Sequence, residues 1–125
     1  DGTVLYVEDN PGNLKFVQKA IELRRPAVNL LSAHTPSLGL DLAAAHRPDL
    51  IILDIGLPGM SGFDVLEILK KDALTADISV VALNANAMER DIEKGLAAGF
   101  DRCLTKPIEV SQLVEVLDHF VCMPT

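Results

Sequence analysis

The sequence predicts one three-layer α/β domain, a doubly wound parallel sheet of five strands with helices on both faces. Three observations carry that prediction. Short apolar runs alternate five times with segments whose apolar residues recur at helical spacing. One run, DLIILD at Asp49 to Asp54, is continuously apolar between two acids, the pattern of a strand covered on both faces. The length, 125 residues with 49% hydrophobic, suits a single core that needs no disulfide staples.

Each element has its own signal. Thr3 to Val7 is β-branched and aromatic sequence that stops at Glu8 and Asp9, a buried strand running into two acids. Asn10-Pro11 then starts a helix, a capping side chain followed by a proline suited to the first turn, and Leu14, Val17 and Ile21 follow at helical spacing. Arg24, Arg25 and Pro26 close it. Val28 to Ala33 is the second strand. Pro36 opens a second helix expected to turn Leu38, Leu42 and Ala45 inward, and His46-Arg47-Pro48 ends it. After the third strand, Gly56, Pro58, Gly59 and Gly62 make a loop, and a helix follows from Ser61 to Lys71. Ile78 to Leu83 is the fourth strand. Met88, Ile92 and Leu96 mark a helix that Gly99 can end in a left-handed conformation. Asp101 to Leu104 is a short fifth strand, and Val110, Leu113, Val114 and Leu117 form the stripe of a final helix. The Leu and Ala stripes are expected to be core. Right-handed crossovers then place helices on both faces of one domain spanning 1–125.

Composition excludes several functions. Eleven Lys and Arg against 18 Asp and Glu give a net charge of -7, which opposes binding to nucleic acid or anionic lipid through the overall field. No apolar run reaches the ~18 residues of a membrane span, and no leader pattern opens the chain, so a cytoplasmic location is expected. The start at Asp1 suggests a segment cut from a longer protein. Cys103 and Cys122 lack zinc-ligand spacing and are expected as reduced thiols, Cys103 as a small apolar filler. His34, His46 and His119 are scattered and expected at the surface or at helix ends.

Ligands of such sheets sit beyond the carboxyl ends of the strands. There the first strand presents Glu8-Asp9, the third Asp54, the fourth Asn84, and the fifth is followed by Lys106-Pro107. Taken singly, Glu8-Asp9 could merely complement a helix dipole, and Lys106-Pro107 is a common loop dipeptide. Asp54 is harder to dismiss, because an unpaired charge at the end of a buried strand is costly. Together, three carboxylates at one edge repel unless a cation lies among them. Few carboxylates plus water suit Mg²⁺, which brings phosphate oxygens into its shell, and a lysine adds a compact positive charge for a phosphoryl oxygen. The set describes phosphoryl transfer to a carboxylate nucleophile.

Four motifs, VLYVEDN at Val4 to Asn10, LIILDIGLPGMSGFDVL at Leu50 to Leu66, VVALNANAM at Val80 to Met88 and GFDRCLTKPI at Gly99 to Ile108, resemble the receiver domain of bacterial two-component response regulators over essentially the whole chain. The resemblance implies the flavodoxin-like receiver fold with strand order 2-1-3-4-5. It implies Asp54 as phosphate acceptor from a phosphohistidine. Mg²⁺ would be held by Asp9, Asp54 and the backbone carbonyl of Gly56, with Glu8 acting through water. Lys106 would pair with the Asp54 carboxylate and then with the phosphoryl group, and the Lys106-Pro107 bond would be cis. Gly56 and Asn86 occupy positions where receivers tune the lifetime of the acyl phosphate.

The expected partners are a histidine kinase or a histidine phosphotransfer protein, with a homodimer through the fourth and fifth helices as a further expectation. VLYVEDNPGNLKFV and ALNANAMERDIEKGLAAGF look most like receivers attached to hybrid sensor kinases.

Two positions depart from the family. Asn84 stands where Thr or Ser is usual, and Cys103 stands three residues before the lysine where Tyr or Phe is usual, so an atypical switch is expected. A degenerate receiver acting as a phosphorylation-independent interaction module is the alternative. A small phosphohydrolase would need a second acid and a substrate cap that are not visible, and a flavin site has only one Tyr and no Trp to stack on the ring.

Overall fold

The computed structural model describes residues 2–57, 59–85 and 89–121, without the side chains of 89–92. Five strands, β1 (Gly2–Val7), β2 (Val28–Ala33), β3 (Leu50–Asp54), β4 (Ser79–Asn84) and β5 (Arg102–Thr105), alternate with five helices. These are α1 (Pro11–Arg24), α2 (Pro36–His46), α3 (Gly62–Lys71), α4 (Glu89–Ala98) and α5 (Val110–Phe120). The sheet has the order β2-β1-β3-β4-β5 and every pairing is parallel.

The two faces of the sheet are sorted by strand alternation. Val4, Tyr6, Leu50, Ile52, Val81 and Leu83 pack with Val17, Ile21, Leu113 and Leu117 of α1 and α5. Leu5, Val7, Ile51, Leu53, Val80 and Ala82 face the other way, onto Ala43 of α2 and Val65, Leu66 and Leu69 of α3. All five residues of β3 are buried, as a central strand covered on both faces requires. Arg25 reaches across from the end of α1 to hold both carboxylate oxygens of Asp118 on α5 at 2.7 Å, tying those helices outside the core.

Helix starts follow the local chemistry. The Asn10 side chain accepts from the amides of Gly12 and Asn13, Thr35 from Leu38, and Ser61 from Asp64. Gly99 ends α4 at φ +119°, the left-handed turn expected of it.

Three expectations need correction. In α2 the buried positions are Pro36, Gly39 and Ala43; Leu38 and Leu42 are half-buried and pack against the core as expected, whereas Ala45 is exposed. The reason is distance: a Cβ on Gly39 would stand 2.8 Å from Val7 Cγ2, so only a glycine lets α2 settle onto β1 and the leucines flank the contact. In α4 Leu96 is 47% exposed, because the buried position beside it is Gly95, whose missing Cβ would collide with Cys103 Sγ. Met88 lies outside the described residues, as does the side chain of Ile92. Finally β4 and β5 each sit one residue later than expected. Asp101 is occupied in pairing both ways with Val80, its amide donating to the Val80 carbonyl and its side chain accepting from the Val80 amide, each at 2.8 Å.

Gly62 bears on the site directly. A Cβ there would lie 2.8 Å from the backbone Cα of Ile55, next to Asp54, and backbone cannot swing aside as a side chain can. Gly62→Ala is expected to cost about 1–3 kcal/mol in denaturant unfolding, the usual range for overpacking.

Candidate functional site

The backbone ladder continues past the formal strand ends and thereby sets the site. The Glu8 amide donates to the Ala33 carbonyl, Ile55 to Leu83, and Lys106 to Asn84, at 2.9, 3.0 and 2.9 Å. Strand alternation then distributes the side chains. Tyr6 and Glu8, Ile52 and Asp54, and Leu104 and Lys106 are each two apart, so Glu8, Asp54 and Lys106 stand toward the α1 and α5 side. Asn84 has the parity of Ala82, and Cys103 packs with the group on the opposite side.

Glu8, Asp9 and Asp54 come together, each offering a carboxylate oxygen, all within 4.8 Å of one another. Glu8 and Asp54 are buried and Asp9 is exposed. Lys106 enters between the two buried acids. Its ammonium pairs with Asp54 Oδ2 and lies 3.6 Å from Glu8 Oε1. The Gly56 amide donates to Asp54 Oδ1 at 2.9 Å, so each Asp54 oxygen has a donor. The bond between Lys106 and Pro107 is cis.

Burial raises the Asp54 carboxyl above the ordinary carboxylate range, and the Glu8 charge adds to the rise. The bonds from Lys106 and Gly56 offset only part of it. Burial alone would lower the Lys106 ammonium, but its hydrogen bond to Asp54 and the two negative charges outweigh that and raise it. One lysine therefore does not balance the cluster. Oxygen donors of this kind, close together and short of positive charge, fit a hard divalent cation such as Mg²⁺.

The remaining expectations fall out simply. Cys103 is a half-buried free thiol, raised by desolvation and packed against Gly95, which is the filler role anticipated for it. His34, His46 and His119 are exposed, the latter two in last turns of helices. Asn86 and Cys122 lie outside the described residues.

Two polar residues escaped notice in the sequence. The Tyr6 hydroxyl and the Asn13 carboxamide both donate to Glu8 Oε1, at 3.1 and 3.2 Å. Tyr6 is 1% exposed, and burial together with the Glu8 charge pushes its phenol far above the usual range. The available signal was period-two spacing, since a lone tyrosine two residues before an acid on a buried strand shares its face.

The family pattern described as response regulator receiver domain matches residues 4–118. The chain belongs to the response regulator receiver domain family. Among curated relatives, the polar-differentiation response regulator DivK of Brucella anthropi is 36% identical over 119 residues, 95% of each chain. A receiver domain of the sensor histidine kinase PA1611 from Pseudomonas aeruginosa, solved with a magnesium ion coordinated in its active site cleft, superposes with a TM-score of 0.83 at 26% identity. The match covers 95% of this chain and 96% of that one. The receiver domain of Francisella response regulator 1452, at 24% identity and a TM-score of 0.86 over 96% of both chains, shares the fold. No described helix of this receiver domain is long and apolar enough to cross a membrane.

The raised Asp54 carboxyl has a consequence for stability. A carboxyl whose folded value lies above its unfolded value supports the fold fully below the unfolded value and loses that support as pH rises through the folded one. Asp54→Asn, which mimics the neutral form, is therefore expected to melt higher than wild type at neutral pH without metal. The gap should close as pH falls toward about 4, where unfolded Asp is itself protonated. Thermal melts across pH check this, and an equal or lower melting temperature for the variant at pH 7 would contradict it.

Proposed function

We propose that this domain is a phosphoacceptor module of a two-component phosphorelay, taking a phosphoryl group from a phosphohistidine onto Asp54. The carrying observation is Asp54 itself. It is a buried carboxylate at the end of the central strand, paired with Lys106 and clustered with Glu8 and Asp9. Phosphoryl transfer to a carboxylate uses every member of that quartet.

An Asp54 oxygen attacks phosphorus. The P–O bond forms as the P–N bond to the donor imidazole breaks, and the electron pair stays on the imidazole nitrogen. The Gly56 amide keeps the carboxylate oriented for attack. Lys106, already pointed at this carboxylate, transfers its hydrogen bond to a phosphoryl oxygen and stays anchored through its own amide to Asn84. Asp9 and Asp54, with the Gly56 carbonyl and with Glu8 acting through water, would hold Mg²⁺, which would supply positive charge for a phosphoryl oxygen. The donor is a histidine kinase or a histidine phosphotransfer protein. The domain is not an enzyme with an external substrate. A receiver of a sensor histidine kinase stands among its structural relatives, which supports a hybrid-kinase setting for the module.

The switch is atypical in this reading. Asn84 offers an NH₂ donor where the family has a hydroxyl. Cys103 puts a sulfur against Gly95 where the family has a ring, and leaves no aromatic to swing.

Incubation with acetyl phosphate and Mg²⁺, read by intact mass, is expected to add one phosphate to wild type and none to Asp54→Asn. No gain in wild type would favour a phosphorylation-independent interaction module. With beryllium fluoride and Mg²⁺, NMR shifts should concentrate around Asp54, Asn84 and Lys106. Large shifts spreading over α4, β5 and α5 would instead indicate a conventional switch.

A further inference from the structure

Glu8 is more completely engaged than any other acid among the described residues. Oε1 accepts from the Tyr6 hydroxyl and Asn13 Nδ2, and Oε2 accepts from the amides of Asp9 and Asn10 at 3.1 and 3.3 Å. A carboxylate has about four lone-pair sites, so these donors fill it. Its freedom to turn toward a ligand is correspondingly small. What it does instead is hold others, since the Oε2 bonds fix the turn that presents Asp9, and Oε1 faces the Lys106 ammonium.

Fold and helix both build this clamp. Tyr6 precedes Glu8 by two on the same strand face, so its hydroxyl rises along the buried side of β1 to the carboxylate. The Asn10 cap seats the first turn of α1 and thereby places Asn13, whose side chain reaches back to the same oxygen. One donor comes from the sheet and the other from the helix. Tyr6, Asn13 and Lys106 also share the wall of a cavity of about 230 Å³ beside the site.

We propose that Tyr6 and Asn13 are positioning residues for the cation site, acting through Glu8 to fix Asp9 and Lys106. The role rests on the reading of the acidic cluster as a Mg²⁺ site. Removing a partner that orients a ligand commonly lowers metal affinity 10-fold or more. Tyr6→Phe keeps the ring and deletes only the donor, and Asn13 is only half-buried, so both variants should fold.

Mg²⁺ titrations of isotope-labelled protein, followed by amide NMR shifts, give the dissociation constant for each protein. Tyr6→Phe and Asn13→Ala are each expected to bind about tenfold more weakly than wild type. The decisive comparison is a double-mutant cycle with Glu8→Gln, in which Tyr6→Phe should cause little further loss. A packing effect of Tyr6 would persist in that background. Wild-type affinity in both single variants, or an undiminished Tyr6→Phe effect beside Glu8→Gln, would overturn the proposal. Failure of wild type itself to bind Mg²⁺ at millimolar concentration would instead defeat the metal reading, and this role with it.

Discussion

Two buried carboxylates share one ammonium at the carboxyl edge of the sheet, and most of the structure can be understood as managing that imbalance. β3 is covered on both faces, so an acid at its end is withdrawn from water. Burial opposes its charge more strongly than Lys106 and Gly56 support it. The second acid, Glu8, is accommodated differently, by filling its oxygens with protein donors. A site assembled this way is short of positive charge while its geometry is already set, which is the condition a divalent cation can relieve.

The geometry is maintained by backbone more than by side chains. Ladder bonds from Glu8, Ile55 and Lys106 carry the regularity of the sheet a residue beyond each strand. Close approaches reinforce it, Gly62 against the Ile55 backbone and Gly39 against Val7. Strand alternation also separates two tasks. Glu8, Asp54 and Lys106 belong to the α1 and α5 side, whereas Asn84 and Cys103 have the parity of the side covered by α2, α3 and α4. The hydrogen bond from the Lys106 amide to the Asn84 carbonyl joins β5 to β4 between those two sides. Packing of α4 on β5 is tight at Gly95, where an added Cβ would meet Cys103 Sγ and come within 3.7 Å of the Phe100 ring.

Much of this was legible in the sequence because it depends on local rules. The Asn10 and Ser61 caps, the bracketed run ending in Asp54 and the left-handed Gly99 are properties of a few consecutive residues. Where reading failed, the determining contact was distant. The inner face of α2 is chosen by Val7, some thirty positions earlier, and the exposure of Leu96 by the sulfur of Cys103 beside Gly95. An apolar stripe predicts burial only when the helix has one apolar side, and α2 is apolar nearly all round, so periodicity could not select its face.

The sequence by itself determined the element order, the parallel sheet and the identity of the residues at the strand ends, because capping, hydrophobic periodicity and motif spacing are encoded within short segments. It also carried membership of the receiver family, through motifs spread along the chain. Only the tertiary structure decided that Lys106 sits between Glu8 and Asp54, that Asp54 stays raised despite that lysine, and that Tyr6 and Asn13 complete the Glu8 shell. Those facts depend on desolvation and on distances between segments that meet only after folding.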